Sequence, residues 1–171
     1  MSALSFLLFA LAACALIWTF LVWRGFTQTW LPEDLKGATL VLVEKNLITD
    51  VPVPVVGRPD QVYRLHSGHH VPVENKNRDS YRVYGTDIAQ LSLQAWLLRK
   101  TGRITAPYGY VVVNSRITRT RKCIRVNLYS ETTCLHIIQR YLDVIDGAVT
   151  ARKSIGVKCK NCGHKAECHA T

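Results

Sequence analysis

The sequence predicts an α/β chain preceded by a single N-terminal transmembrane helix. Three observations predict it. An uncharged apolar run opens the chain. Short β-branched segments bounded by Gly, Pro and Asn follow it. Two stretches with helical spacing interrupt and close that strand series.

The chain has 171 residues, enough for one domain, and its 48% hydrophobic content allows a packed core. Lys plus Arg number 22 against 12 Asp plus Glu, a formal charge of +10. Such an excess suits an anionic partner, either nucleic acid or an anionic membrane face. Of the six cysteines, Cys159, Cys162 and Cys168 crowd into the tail as C-x2-C-x5-C. That spacing points to metal ligation in a reducing compartment rather than to a disulfide framework.

Leu4 to Trp23 carries no charge, and as a helix it spans about 30 Å, the thickness of a bilayer core. No Lys or Arg precedes it, which argues against a signal peptide. Arg24 and Lys36 lie on its C-terminal side, so the positive-inside tendency places the following domain in the cytoplasm of a single-pass membrane protein. The expected divisions are an anchor over 1–24, a juxtamembrane linker over 25–37, a sheet domain over 38–155 and a cysteine-rich tail over 156–171.

Ala38 to Leu47 reads as a strand. Val51 to Val56 holds Pro52 and Pro54, so it is an edge strand or an extended connection, not a central strand. Gly57 to Lys76 reads as strand, turn and strand. Opposed residues of an antiparallel pair share a face, so Asp60 and Glu74 meet only if paired numbers have an even sum. A three-residue loop, His66-Ser67-Gly68, satisfies that, with Gly68 at the left-handed position such loops favour. Glu74 and Lys76, two apart, share a face in any case. His66, His69 and His70 surround the turn at the far end and receive no role.

A helix is expected from Thr86 to about Lys100, with Ile88, Leu91, Ala95 and Leu98 as its apolar stripe and Gln90 and Gln94 on one face. Tyr108 to Asn114 is a buried-type strand and Arg121 to Leu128 its hairpin partner. Arg119, Arg121 and Arg125 alternate onto one face that could track phosphates; a solvated strand face is an equally good account. A second helix runs from Glu131 to about Lys153, with a stripe of Leu135, Ile138, Leu142, Ile145 and Val149.

Two carboxylates and an ammonium at one end of a sheet can bind a divalent cation and activate water against a phosphodiester. Asp60 and Glu74 would be direct ligands of Mg²⁺ or Mn²⁺, with the Asn75 carbonyl as a third oxygen. Lys76 would orient or deprotonate water or stabilise developing charge, and Gln90 would reach in from the helix.

The order Gly-x-x-Asp (Gly57, Asp60), strand, turn, strand, Glu-x-Lys (Glu74, Lys76), then a helix with Gln90 resembles the PD-(D/E)XK nuclease superfamily. More narrowly it resembles the RecB-like branch that includes the CRISPR-associated iron–sulfur exonucleases, over roughly Leu40 to the C-terminus. The resemblance implies a restriction-endonuclease-like central mixed sheet flanked by helices, metal-dependent cleavage of DNA, exonuclease action above all, and a [4Fe–4S] cluster on Cys159, Cys162 and Cys168. Where the branch has a tyrosine four residues after the glutamine, this chain has Gln94. The iron–sulfur members place a fourth cysteine upstream; here only Cys14 precedes the domain.

By its own chemistry the tail suits zinc as well as iron–sulfur, with His164, His169, Cys123 or Cys134 as the fourth donor. Two other functions fit the residues: a catalytically inactive DNA-binding or scaffolding protein on a nuclease fold, and a membrane-tethered zinc or Fe–S module.

Overall fold

The computed structural model describes residues 9–20 and 31–169. The chain divides into two compact units, residues 1–131 and residues 132–171.

In the first unit, residues 9–20 are helical (α1), with exposed side chains. Alternating apolar positions then build β1 (Thr39–Val43), β2 (Leu47–Thr49), β3 (Val55–Gly57), β4 (Gln61–Arg64), β5 (His70–Asn77), β6 (Tyr108–Asn114) and β7 (Arg121–Asn127), with helix α2 (Gly85–Lys100) between β5 and β6. Five strands form one sheet in the order β1-β4-β5-β6-β7, and β2 pairs with β3 alone. The β1–β4, β4–β5 and β6–β7 pairs are antiparallel; β5 and β6 run parallel.

The expected architecture is corrected in two respects. The five-stranded sheet is mostly antiparallel: β4–β5 and β6–β7 are joined by short hairpin connections, and β1 also runs antiparallel to β4 across the longer segment that holds β2 and β3. The long segment between β5 and β6 carries a helix, and only there do neighbours run parallel. Secondly, no helix among the described residues is long and apolar enough to cross a membrane. A span needs about 20 apolar helical residues; the helical residues described here are 9–20. The transmembrane helix, and the single-pass membrane localisation that rested on it, are therefore withdrawn. Residues 4–8 and 21–23 of the expected span lie outside the described residues.

The sheet buries both faces. On one, Tyr63, Val71, Val73, Tyr110 and Val112 pack with Leu31 and Leu35. Asp34 pins this segment by accepting hydrogen bonds from Tyr108 (2.8 Å) and Tyr110 (2.6 Å). On the other, Val111, Val113 and Val126 pack against Leu91 of α2. The opposite side of α2 meets the β2–β3 hairpin. The helix is thus buried on two sides, through Leu97 as well as Leu91 and Leu98, where a single stripe was expected. Gly57 permits that layering: a Cβ there would lie 2.5 Å from Leu97 Cδ1.

The predicted 38–47 strand is broken at Glu44, whose φ of 45° lies in the left-handed region. Its N–H donates to the Asp60 carbonyl (3.1 Å), bringing the end of β1 beside the start of β4. Helix α2 begins at Gly85 with Tyr84 as N-cap rather than at Thr86. The Asp87 carboxylate decides this, accepting the Tyr84 N–H at 2.9 Å.

In the second unit, α3 (Glu131–Ile145) stops eight residues before the predicted Lys153. Gly147, at φ +74°, takes the left-handed position that ends helices, and its N–H donates to the Val144 carbonyl. A short 3-10 turn at Val157–Asn161 and helix α4 (Lys165–His169) follow.

Candidate active site

The β4–β5 hairpin has the expected register. Arg64 pairs with His70 and Gln61 with Val73, a register whose extension by one step would set Asp60 against Glu74. The loop closes through Leu65 N–H to the His69 carbonyl and Gly68 N–H to the Leu65 carbonyl, both 2.9 Å, with Gly68 at φ +84°. Asp60 is anchored across the hairpin: its Oδ2 accepts the Asn75 N–H at 2.8 Å.

Glu74 is buried at 4% exposure, and α2 supplies the groups that make this tolerable. Its Oε1 accepts from Lys76 Nζ (2.7 Å) and Gln90 Nε2 (2.7 Å); its Oε2 accepts from Gln94 Nε2 (2.9 Å). Lys76 Nζ also donates to Gln90 Oε1 at 2.8 Å. Asp60, Glu74, Lys76 and Gln90 are thus brought together. From the sequence, Gln94 shares a face with Gln90 and stands where the RecB-like branch has a tyrosine; no contact with Glu74 was expected of it. Its spacing of four on α2 was the signal for a second amide on the same carboxylate.

Lone-pair and proton counts show what remains open. Each carboxylate oxygen accepts about two hydrogen bonds and an ammonium donates three. Among the described residues Asp60 Oδ1 has no protein donor and Glu74 Oε2 has one, so each keeps acceptor capacity. Two of the three Lys76 protons are engaged, which leaves one for a bound oxygen. This donor set, hard oxygens with a backbone carbonyl beside them, fits Mg²⁺ or Mn²⁺ rather than a soft metal. Asp60 Oδ1 and Glu74 Oε2 would hold the ion.

The arginines are not brought to this site. Arg121 and Arg125 pair with Asn114 and Tyr110, on the face away from Glu74, whereas Glu74 shares its face with Val111 and Ile124. There Arg125 lies 3.7 Å from the centroid of the Tyr108 ring, and Arg121 Nε donates to Asn114 Oδ1 at 2.7 Å. Arg119 occupies the β6–β7 turn at φ 52°. Strand alternation puts Arg121 and Arg125 on one face and sheet order decides which, while Arg119 lies in the turn before β7, off that face.

On the helix side of the site, Arg78 and Asp87 form a bidentate pair at 3.0 and 2.8 Å. Burial opposes the Asp87 charge, but the Arg78 guanidinium and the Tyr84 N–H outweigh it and hold the carboxyl below its usual range. This pair fixes the start of α2 and so the positions of Gln90 and Gln94.

No protein-family model matches the chain, and no curated protein matches it. Among solved structures the chain is similar to the crystal structure of SSO0001. The two are 18% identical, over 75% of this chain and 60% of that one, with a TM-score of 0.53. At that identity the likeness is one of fold. This chain spans 60% of the length of that structure's chain.

In the tail, Cys159, Cys162 and Cys168 are free thiols. Among the described residues no group of three or more His, Cys, Asp or Glu is gathered so as to hold a metal ion. Cys123 packs against the apolar face of the sheet, and burial pushes its thiol up to about 12, which disfavours the ligating thiolate.

Proposed function

We propose that the chain is a metal-dependent nuclease that hydrolyses DNA phosphodiesters at the Asp60–Glu74 site. The observation that supports the reading is the convergence of Asp60, Glu74, Lys76 and Gln90 at one end of the β4–β5 hairpin, with acceptor capacity left on both carboxylates. A divalent cation, when bound, supplies charge neutralisation at the phosphate and acidifies water. Asp60 and Glu74 hold it through hard oxygen donors. Gln90 and Gln94 keep the Glu74 carboxylate in place, and Asn75 N–H does the same for Asp60. Lys76, gripped by Glu74 and Gln90, directs its remaining N–H to a phosphate oxygen or to the attacking water, where negative charge develops. The formal charge of +10 favours approach of a polyanion.

The assay is cleavage of labelled DNA by the full chain with Mg²⁺ or Mn²⁺ and with chelator. Glu74→Ala is expected to lower kcat/KM by at least about 100-fold, equivalent to about 3 kcal/mol of lost transition-state stabilisation. Cleavage indifferent to that substitution would remove the proposal.

One observation favours a second reading, DNA binding without turnover. Both acceptor positions of Glu74 Oε1 are already taken by Lys76 and Gln90. Under that reading DNA binds in a salt-sensitive manner and no metal yields product.

A further inference from the structure

Strand register carries the face of the carboxylate site across the sheet. Lys76 of β5 pairs with Val113 of β6, and Val113 pairs with Lys122 of β7. Opposed residues share a face, so Lys122 stands on the same face as Glu74 and Lys76. Two strand spacings put its Cα about 10 Å from that of Lys76. The Lys122 side chain is exposed.

The segment 78–84, which leads into α2, is tied to the β6–β7 turn beside this row. Arg78 N–H donates to the Asn114 carbonyl at 3.2 Å. The Tyr81 hydroxyl is hydrogen-bonded to Thr118 (2.8 Å) and to Thr120, and Lys122 Nζ lies 5.8 Å from the centroid of the Tyr81 ring. Arg82, next in the chain, is exposed, with its guanidinium 5.6 Å from the Tyr84 ring. Aromatic contacts thus position two cations, Arg82 and Lys122, at one edge of the molecule.

These cations lack counter-ions. Between Asp87 and Glu131 the sequence holds eight Lys or Arg and no Asp or Glu. Among the described residues neither Arg82 nor Lys122 forms an ion pair, whereas Arg78 is committed to Asp87. Lys76, at the other end of the row, keeps one proton for an oxygen at the carboxylate site. A free phosphate would meet one of these groups. A nucleic-acid strand brings a row of phosphates, one for each. An anionic membrane face also offers charge, but the alignment with a site suited to a single phosphate favours the strand.

We infer that Arg82 and Lys122 form a phosphate track, along which the backbone of a nucleic-acid strand runs on from the phosphate held at Lys76. Its contacts are with the backbone alone, so the strand is gripped without regard to sequence. The placement of the strand rests on the nuclease reading and deepens it; the grip itself needs no bound cation.

The test is binding of single-stranded DNA to the full chain by fluorescence anisotropy, with chelator present, across a salt series. Each phosphate contact contributes about 0.7 to the slope of log K against log salt, so Arg82→Gln combined with Lys122→Gln is expected to lower that slope by about 1.4. Affinity is expected to fall about tenfold, equally for oligo(dC) and oligo(dT). Arg125→Gln removes the same charge from the opposite face of β7 and is expected to leave the slope as it is. If the double variant fails to fold by circular dichroism, Lys122→Gln alone carries the test, with a slope change of about 0.7. An unchanged slope, an equal change in Arg125→Gln, or a loss confined to one sequence would overturn the inference. So would loss of binding to phosphatidylserine vesicles with DNA binding intact, which would make this edge a membrane contact. Cleavage with Mg²⁺ is read separately. A lowered slope in the variant, with no cleavage by the unsubstituted chain, leaves the track standing and sinks the nuclease reading. Cleavage by the unsubstituted chain, with undiminished affinity in the variant, does the reverse.

Discussion

At the scale of single residues, the site is a buried carboxylate made tolerable by its donors. Glu74 accepts three hydrogen bonds, and two come from glutamines one helical turn apart. Removing Lys76 deletes a group expected to act only as charge develops. Lys76→Met should therefore lower kcat by about 100-fold with little change in KM, which steady-state kinetics will read. A change confined to KM would make Lys76 a binding residue instead. Gly57 serves packing. Gly57→Ala places a methyl 2.5 Å from Leu97 Cδ1 and should cost about 1–3 kcal/mol by denaturant unfolding. In a Leu97→Ala background the same Gly57→Ala change should cost less, a coupling that a double-mutant cycle reads, since the contact is with a side chain rather than backbone. The roles of Asp60, Glu74 and Lys76 were read from residue type and spacing. That of Gln94 was not, because which face of α2 meets the sheet is settled by packing. A helix buried on two sides carries no single stripe to announce it.

At the scale of elements, the β4–β5 hairpin makes the site by register alone. A loop of three residues sets Asp60 opposite Glu74; one residue more or fewer reverses the faces. Deleting Ser67 is expected to abolish metal-dependent cleavage while leaving a folded protein by circular dichroism. Retained cleavage would mean that the carboxylates do not act as a pair. The same parity argument read correctly from the sequence because the turn chemistry was local: Gly68 stands where a positive φ is required. Helix α3 ended sooner than its apolar stripe implied. The stripe continues to Val149, but Gly147 supplies a left-handed stop, and backbone conformation overrides side-chain periodicity. The predicted 38–47 strand split for a comparable reason at Glu44, where no glycine marks the bend.

At the scale of the molecule, acid stability is tied to the site through Arg78 and Asp87. The folded-state pKa of Asp87 is lowered. Its contribution is therefore complete above the ordinary carboxylate range and is lost as pH falls through the depressed folded value. Asp87→Asn should cost about 2 kcal/mol at neutral pH and shrink the difference from wild type toward acid, as urea midpoints across pH will show. A constant difference would mean that the pair contributes packing alone. Local pattern in the chain was enough for the β4–β5 hairpin with its register and for the β6 and β7 strands, because alternation and turn residues act over short distances. It could not decide which sheet face carries Arg121 and Arg125, that the sheet is mostly antiparallel, or that no described helix can cross a membrane. Those depend on strand order and on where helices stop, which emerge only when distant segments bury their apolar faces against one another. The alignment of Lys76 with Lys122 belongs to the same category: the two lie far apart in the chain and share a face because β6 is laid between β5 and β7.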